Sequence, residues 1–192
     1  MAGLLLTGGK SRRMGRDKAS IVIDVATGET LASRLGRVLE EVADPALEVG
    51  PGWSRLERAE ADLGEGPLTG IAAGWRSLRS GVPGAGTPPQ QVIVLATDLP
   101  NLTPAVLVWL SARPEEASVV PVVGGRTQPL CARWCAADLD RAVEIVERGG
   151  RAVSAALGPA TAYLGESEWG SVAAEAAFRD ADRPEDLVPG AT

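Results

Sequence analysis

Short apolar runs alternate with amphipathic stretches along most of the chain. Residues 2–6 form an apolar run of strand length, and residues 19–24 alternate and are rich in β-branched side chains. They read as a second extended piece, turned by Ala26-Thr27-Gly28-Glu29. Across residues 30–42, Leu31, Leu35, Val38, Leu39 and Val42 recur at helical spacing behind Thr30, a good N-cap. Residues 46–49 predict a short strand stopped by Gly50-Pro51-Gly52, while residues 53–64 show no clear period. The acid-rich end of that stretch, with Glu57, Glu60, Asp62 and Glu65, reads as solvated loop.

Gly66-Pro67 opens a helix to Ser80, with proline in the first turn where its missing N–H costs nothing. Residues 81–89 are a glycine- and proline-rich connection, and residues 91–96 are the chain's best candidate for a central parallel strand buried on both faces. Thr103 precedes Pro104 and is expected to cap the next helix. Residues 119–123 predict a strand, Gly124-Gly125 a hairpin turn, and residues 127–134 its return strand. A helix over 136–148 ending at Gly149-Gly150, a shorter helix over 152–157 and a strand over 161–164 follow. Strands alternating with helices predict an α/β fold: a single Rossmann-like domain over 1–192, its mostly parallel sheet carrying helices on both faces. No repeat or linker divides it.

Composition narrows the chemistry. A chain of 192 residues buries about 70% of the surface its unfolded form exposes and needs no disulfides. Its two cysteines, Cys131 and Cys135, fall short of the four ligands of a structural zinc site and suit a reducing compartment. There is no histidine, which removes Ser-His-Asp and Cys-His catalysis and imidazole acid-base work. The apolar run at 2–6 is too short for the core of a signal peptide, and no run approaches the roughly 20 residues of a membrane span. A cytoplasmic protein without membrane contact is expected. The net charge of −6 and the lack of a basic stripe beyond the first loop weigh against a nucleic-acid polymer as partner.

That first loop reverses the local sign of charge. Within residues 4–18, the glycines Gly8 and Gly9 allow close approach of a ligand, and Lys10, Arg12, Arg13, Arg16 and Lys18 crowd around them. Five cations packed so closely repel one another unless they are solvated or share an anion, and phosphate is the anion such a loop suits. It is not the common P-loop, because its lysine leads into an extended piece and not a helix. A second candidate is Asp98, at the end of the apolar strand 91–96, where ligands gather in open α/β sheets. Thr103 makes Asp98 unnecessary as a cap, and a strand-end carboxylate can hold Mg²⁺ with substrate oxygens completing its shell.

The pattern L-x-G-G-x-S-x-R-M-G-x-D-K-A resembles the signature loop of nucleotidyltransferases, most closely the molybdenum cofactor guanylyltransferases. Four further segments resemble that family in order: Gly-Pro-Leu-Thr-Gly from Gly66, Asp98-Leu99-Pro100, Gln128-Pro129-Leu130, and residues 180–187. The resemblance implies a nucleotide-diphospho-sugar transferase type of fold and transfer of GMP from MgGTP to the molybdopterin cofactor, with release of pyrophosphate. It implies that Leu6, Thr7, Gly8, Gly9 and Lys18 wrap the triphosphate, and that Arg13, Lys18 and Asp98 serve catalysis, with Asp98 as the Mg²⁺ ligand. Gly66 and an acid before it, Glu60 or Asp62, fall near the guanosine; Gln128, Asp180 and Asp182 fall near the acceptor.

The chain departs from the family in three places. Gly50 stands near the position of an asparagine that some relatives carry, the guanosine-contacting acid has no single counterpart, and Asp180 and Asp182 stand where many relatives have asparagine. Two rival readings remain: nucleotidyl transfer with CTP or a sugar-phosphate acceptor, and a nucleotide- or cofactor-binding carrier without turnover. Whether a molybdenum-cofactor insertion or chaperone protein partners the chain is left open by the sequence.

Overall fold

The computed structural model describes residues 1–8, 18–59, 65–80, 88–114 and 116–181. In chain order these contain β1 (Ala2–Leu6), β2 (Val22–Asp24), β3 (Glu29–Thr30), α1 (Leu31–Glu40), β4 (Ala46–Val49), β5 (Glu57–Arg58) and α2 (Pro67–Ser80). Then come β6 (Gln91–Ala96), α3 (Pro104–Ser111), β7 (Val119–Val123), β8 (Arg126–Thr127), β9 (Cys131–Cys135), α4 (Ala136–Glu147), β10 (Ala162–Leu164) and α5 (Glu166–Trp169).

The main sheet runs in the order β10-β7-β9-β6-β1-β4-β5, with β8 paired to β7. Pairings of β1 with β4 and β6, of β4 with β5, and of β7 with β10 are parallel, whereas β9 lies antiparallel between β6 and β7. The alternation of side chains across the central strands explains their continuous apolar sequence. Leu5, Ile93 and Leu95 enter one core with α1 and α3, while Leu4, Leu6, Val92 and Val94 enter another with α2 and α4. Helices therefore cover both faces, as the alternating pattern predicts.

Thr30 caps α1, its hydroxyl accepting from the Ser33 N–H at 3.1 Å. Thr103 occupies the corresponding place before α3 and Pro104 the first helical position, but the Thr103 side chain makes no capping bond.

Elsewhere local chemistry overrides the expected periods. Lys18–Ser20 form a 3₁₀ turn before β2, so the extended piece expected over 19–24 shortens to Val22–Asp24. The return strand expected over 127–134 is broken between β8 and β9 at Gln128-Pro129-Leu130, where proline has no N–H to give a ladder. The short helix expected over 152–157 is a 3₁₀ turn, Val153–Ala155.

Candidate active site

At the carboxyl end of β1 the chain passes directly against the end of β4. The Thr7 and Gly8 N–H groups both donate to the Val49 carbonyl, at 3.0 and 3.3 Å. Gly50 is pressed against them: at φ +152°, an added Cβ there would stand 2.2 Å from Thr7 Oγ1 and 2.7 Å from the Gly8 nitrogen. Only glycine lets the two loops approach so closely. Leu6 and Thr7 are buried, and Gly8 is half-buried. Gly9 and Arg13 lie outside the described residues. Lys18 re-enters half-buried at the start of its 3₁₀ turn, with its carbonyl accepting from Ile21 N–H at 3.1 Å.

Glu48 of β4 was not singled out by its sequence context. Its side chain is fully buried and receives the Thr7 hydroxyl, the N–H groups of Gly52, Trp53 and Ser54, and the Ser54 hydroxyl. Burial pushes its carboxyl up, but hydrogen bonds from Ser54, Thr7 and Trp53 outweigh that and hold it below the ordinary glutamate value. The available signal was a single acid inside the strand Ala-Leu-Glu-Val, too little for any periodicity to register.

A second set of residues gathers at the end of β6. Thr97 donates its hydroxyl to the Leu6 carbonyl at 3.2 Å, joining this strand end to that of β1. Half-buried Asp98 follows, and Arg34 of α1 braces the segment through a 2.7 Å bond to the Pro100 carbonyl. Ala96 N–H donates to the Leu130 carbonyl, and Ala181 N–H to the Asp98 carbonyl, both at 2.8 Å. These two bonds draw the Gln128-Pro129-Leu130 turn and the closing segment onto the strand end.

The resulting cavity of about 210 Å³ is lined by Asp98, Gln128, Cys131 and Asp180, among others. Three residues singled out from distant parts of the sequence thus share one hollow. The thiol of Cys131, in the same wall, is pushed well above its ordinary value by burial and by the Asp98 charge, so it stays protonated and is a poor nucleophile.

Gly66 lies at φ +109° immediately before α2, leading into a helix whose Leu68 and Ile71 pack with Leu4, Leu6 and Val49. That packing sets the helix start on the β1–β4 side of the site. Asp62 and Asp182 lie outside the described residues. A larger cavity, about 480 Å³, lies between the β2–β3 turn, α1 and Arg55-Leu56, and none of the candidate site residues lines it. Among the described residues no cluster of three or more histidine, cysteine or acidic side chains is arranged to hold a metal, and no helix is long and apolar enough to cross a membrane.

The profile of the MobA-like NTP transferase domain matches residues 3–161. A molybdenum cofactor guanylyltransferase from Cereibacter sphaeroides is 34% identical, across 97% of this chain and 93% of its own length. A probable molybdenum cofactor guanylyltransferase from a Nostoc species is 32% identical over 79% of this chain and 73% of its own length. Among solved structures, molybdopterin-guanine dinucleotide biosynthesis protein A from Archaeoglobus fulgidus superposes with a TM-score of 0.72 at 21% identity, covering 97% of this chain and 95% of that one. The 2-C-methyl-D-erythritol 4-phosphate cytidylyltransferase of Thermus thermophilus gives 0.59 at 19% identity, with 97% and 95% covered. At such identities the structural likeness speaks for the fold alone.

Proposed function

The chain belongs to the MobA-like NTP transferase family, and from that premise we propose that it is a single-domain, cytoplasmic enzyme transferring GMP from GTP to the molybdenum-bound molybdopterin cofactor. One observation carries the reading at the level of residues. The Thr97 hydroxyl bonds the Leu6 carbonyl, so the start of the glycine-rich basic loop and the cavity of Asp98, Gln128 and Asp180 adjoin. A donor held by the loop would then meet an acceptor held by the cavity.

In the reaction an oxygen of the acceptor's phosphate forms a bond to the α-phosphorus of GTP, and the bond from that phosphorus to the bridging oxygen breaks. The electron pair leaves with pyrophosphate. The acceptor phosphate is ionised at neutral pH, so no general base is required, and a chain without histidine is equal to the task. What the protein supplies is position and compensating charge. The Thr7–Gly8 backbone flanks the triphosphate, Lys18 offsets its charge, Gly66 stands on the guanosine side, and Gln128 and Asp180 on the acceptor side; the motif resemblance assigns Gly9 and Arg13 to the triphosphate, Asp62 to the guanosine and Asp182 to the acceptor.

The donor chemistry of the cavity fits Mg²⁺. Asp98 and Asp180 offer hard carboxylate oxygens, and the nearby Cys131 thiol is held neutral. Asp98 would be the ligand, and the ion, when bound, neutralises phosphate charge.

The test is thermal. In the presence of Mg²⁺, GTP is expected to raise the melting temperature more than ATP, CTP or UTP, because a ligand selective for the native state stabilises it by mass action. Equal shifts with all four nucleotides would overturn the guanine assignment.

A further inference from the structure

Glu48 poses a problem that neither the fold nor the transfer reaction solves. A carboxylate with no exposed surface, in a strand hydrogen-bonded on both sides, carries a desolvation cost that an apolar residue would avoid. Its oxygens take up five donors. Gly52 and Trp53 N–H reach Oε1 at 2.8 Å each, alongside the Thr7 hydroxyl, while Ser54 gives Oε2 its N–H at 2.7 Å and its hydroxyl at 2.6 Å. These are main-chain amides and hydroxyls, so Glu48 gathers backbone where an ion pair would join two side chains.

The backbone it gathers comes from two places. Thr7 belongs to the exit of β1; Gly52, Trp53 and Ser54 belong to the loop after β4. Gly50, within contact of Thr7 and Gly8, leaves no slack between them. That loop is pinned on its far side as well, since the Trp53 carbonyl accepts from the hydroxyls of Thr30, the cap of α1, and of Ser33 within it, both at 3.3 Å. Strand exit, loop and helix start therefore form one body with Glu48 at its centre.

We propose that Glu48 is a positioning residue for the nucleotide site: by binding Thr7 and residues 52–54 at once, it sets the Thr7–Gly8 backbone in its ligand-ready place before GTP arrives. This rests on the reading of residues 6–9 as the nucleotide loop. A preset backbone spares the ligand the entropic cost of ordering it, so the effect falls on GTP binding and not on the acceptor, whose cavity lies beyond β6.

Two variants test this. Glu48→Gln keeps the volume but turns an amide N–H₂ toward groups that are all donors, and Thr7→Val removes one donor at constant shape. With Mg²⁺ present, the Kd for GTP is expected to rise about tenfold or more in Glu48→Gln and severalfold in Thr7→Val. The Kd for molybdopterin is expected to be unchanged in both. Wild-type affinity for GTP in a folded Glu48→Gln, or equal weakening of GTP and molybdopterin, would overturn the proposal. Should Glu48→Gln not fold, Thr7→Val decides: wild-type GTP affinity there would overturn it. Failure of the wild-type protein to bind GTP would instead overturn the underlying nucleotide reading, and the proposal with it.

Discussion

Among the described residues two carboxylates are buried, at opposite ends of the sheet, and they are put to different uses. Asp138, 4% exposed, lies in the first turn of α4 and binds Ser118 Oγ at 2.7 Å, Thr161 Oγ1 at 3.3 Å, Gly158 N–H at 3.1 Å and Arg141 Nη1 at 2.6 Å. Ser118 and Thr161 immediately precede β7 and β10, so this knot lies at the amino end of those strands. Glu48, with no exposed surface, gathers loops at the carboxyl end, where the candidate site lies. Both obey the rule that a buried charge must be saturated with hydrogen bonds. Burial and satisfaction alone do not tell a structural knot from a preset site; what differs is which segments each one holds.

The sharpest test of the contrast is Asp138→Ala. It takes their carboxylate acceptor from the Ser118 and Thr161 hydroxyls and the Gly158 N–H and leaves Arg141 without its ion-pair partner, with an expected cost of about 3 kcal/mol in stability. For a chain of this length that corresponds to a fall of roughly 6–12 °C in melting temperature. Affinity of the folded protein for GTP, measured by titration, is expected to stay at the wild-type value. A large loss of affinity would erase the distinction between the two ends.

Lys18→Ala gives the opposite profile. Removing a cation from the phosphate loop is expected to lower turnover roughly 100-fold, about 2.7 kcal/mol, by analogy with other lost transition-state donors. Its melting temperature is expected to stay near wild type, since Lys18 is only half-buried and begins a short turn. Turnover and a melt on the same preparation check both halves of this expectation.

The smallest effect is that of pH. The folded carboxyl of Glu48 sits below the unfolded value because its hydrogen bonds favour the charged form more than burial opposes it. Its stabilisation is therefore fully present above the ordinary glutamate value of about 4.3 and is lost only as pH falls through the lower folded value. GTP affinity is expected to show no Glu48-dependent step between about pH 5 and 7, and a loss in that window that disappears in Glu48→Gln would contradict the assigned charge state.

How much of this could be read from the chain depended on whether each feature was made by neighbours in sequence or by neighbours in space. β1, β4, β6 and β7 were legible as apolar runs, and α1 as a stripe behind a threonine cap that the structure bears out. β5 was not, because Glu57 and Arg58 are exposed and join the sheet only through backbone bonds to β4. α5 is four residues long and carries no period, its Trp169 being buried against Phe178.

Asp98 was singled out by its place at the end of an apolar strand, Gln128 and Asp180 by motif resemblance, and the structure gathers the three in one cavity. Glu48 had no such signal. Its meaning lies in Thr7, forty-one positions earlier, and in a loop whose glycines suggested only a turn.

Guanylyl transfer by Asp98 together with the loop after β1 can be followed with GTP labelled at its α-phosphate, incubated with Mg²⁺ and molybdenum-loaded molybdopterin, with wild type and Asp98→Asn compared and melts run beside them. Wild type is expected to place the label in the guanine dinucleotide product and release unlabelled pyrophosphate, with at least about a 100-fold loss in an Asp98→Asn protein that melts normally. Near-wild-type transfer by that variant would remove Asp98 from the chemistry, and no transfer by wild type would overturn the proposed reaction.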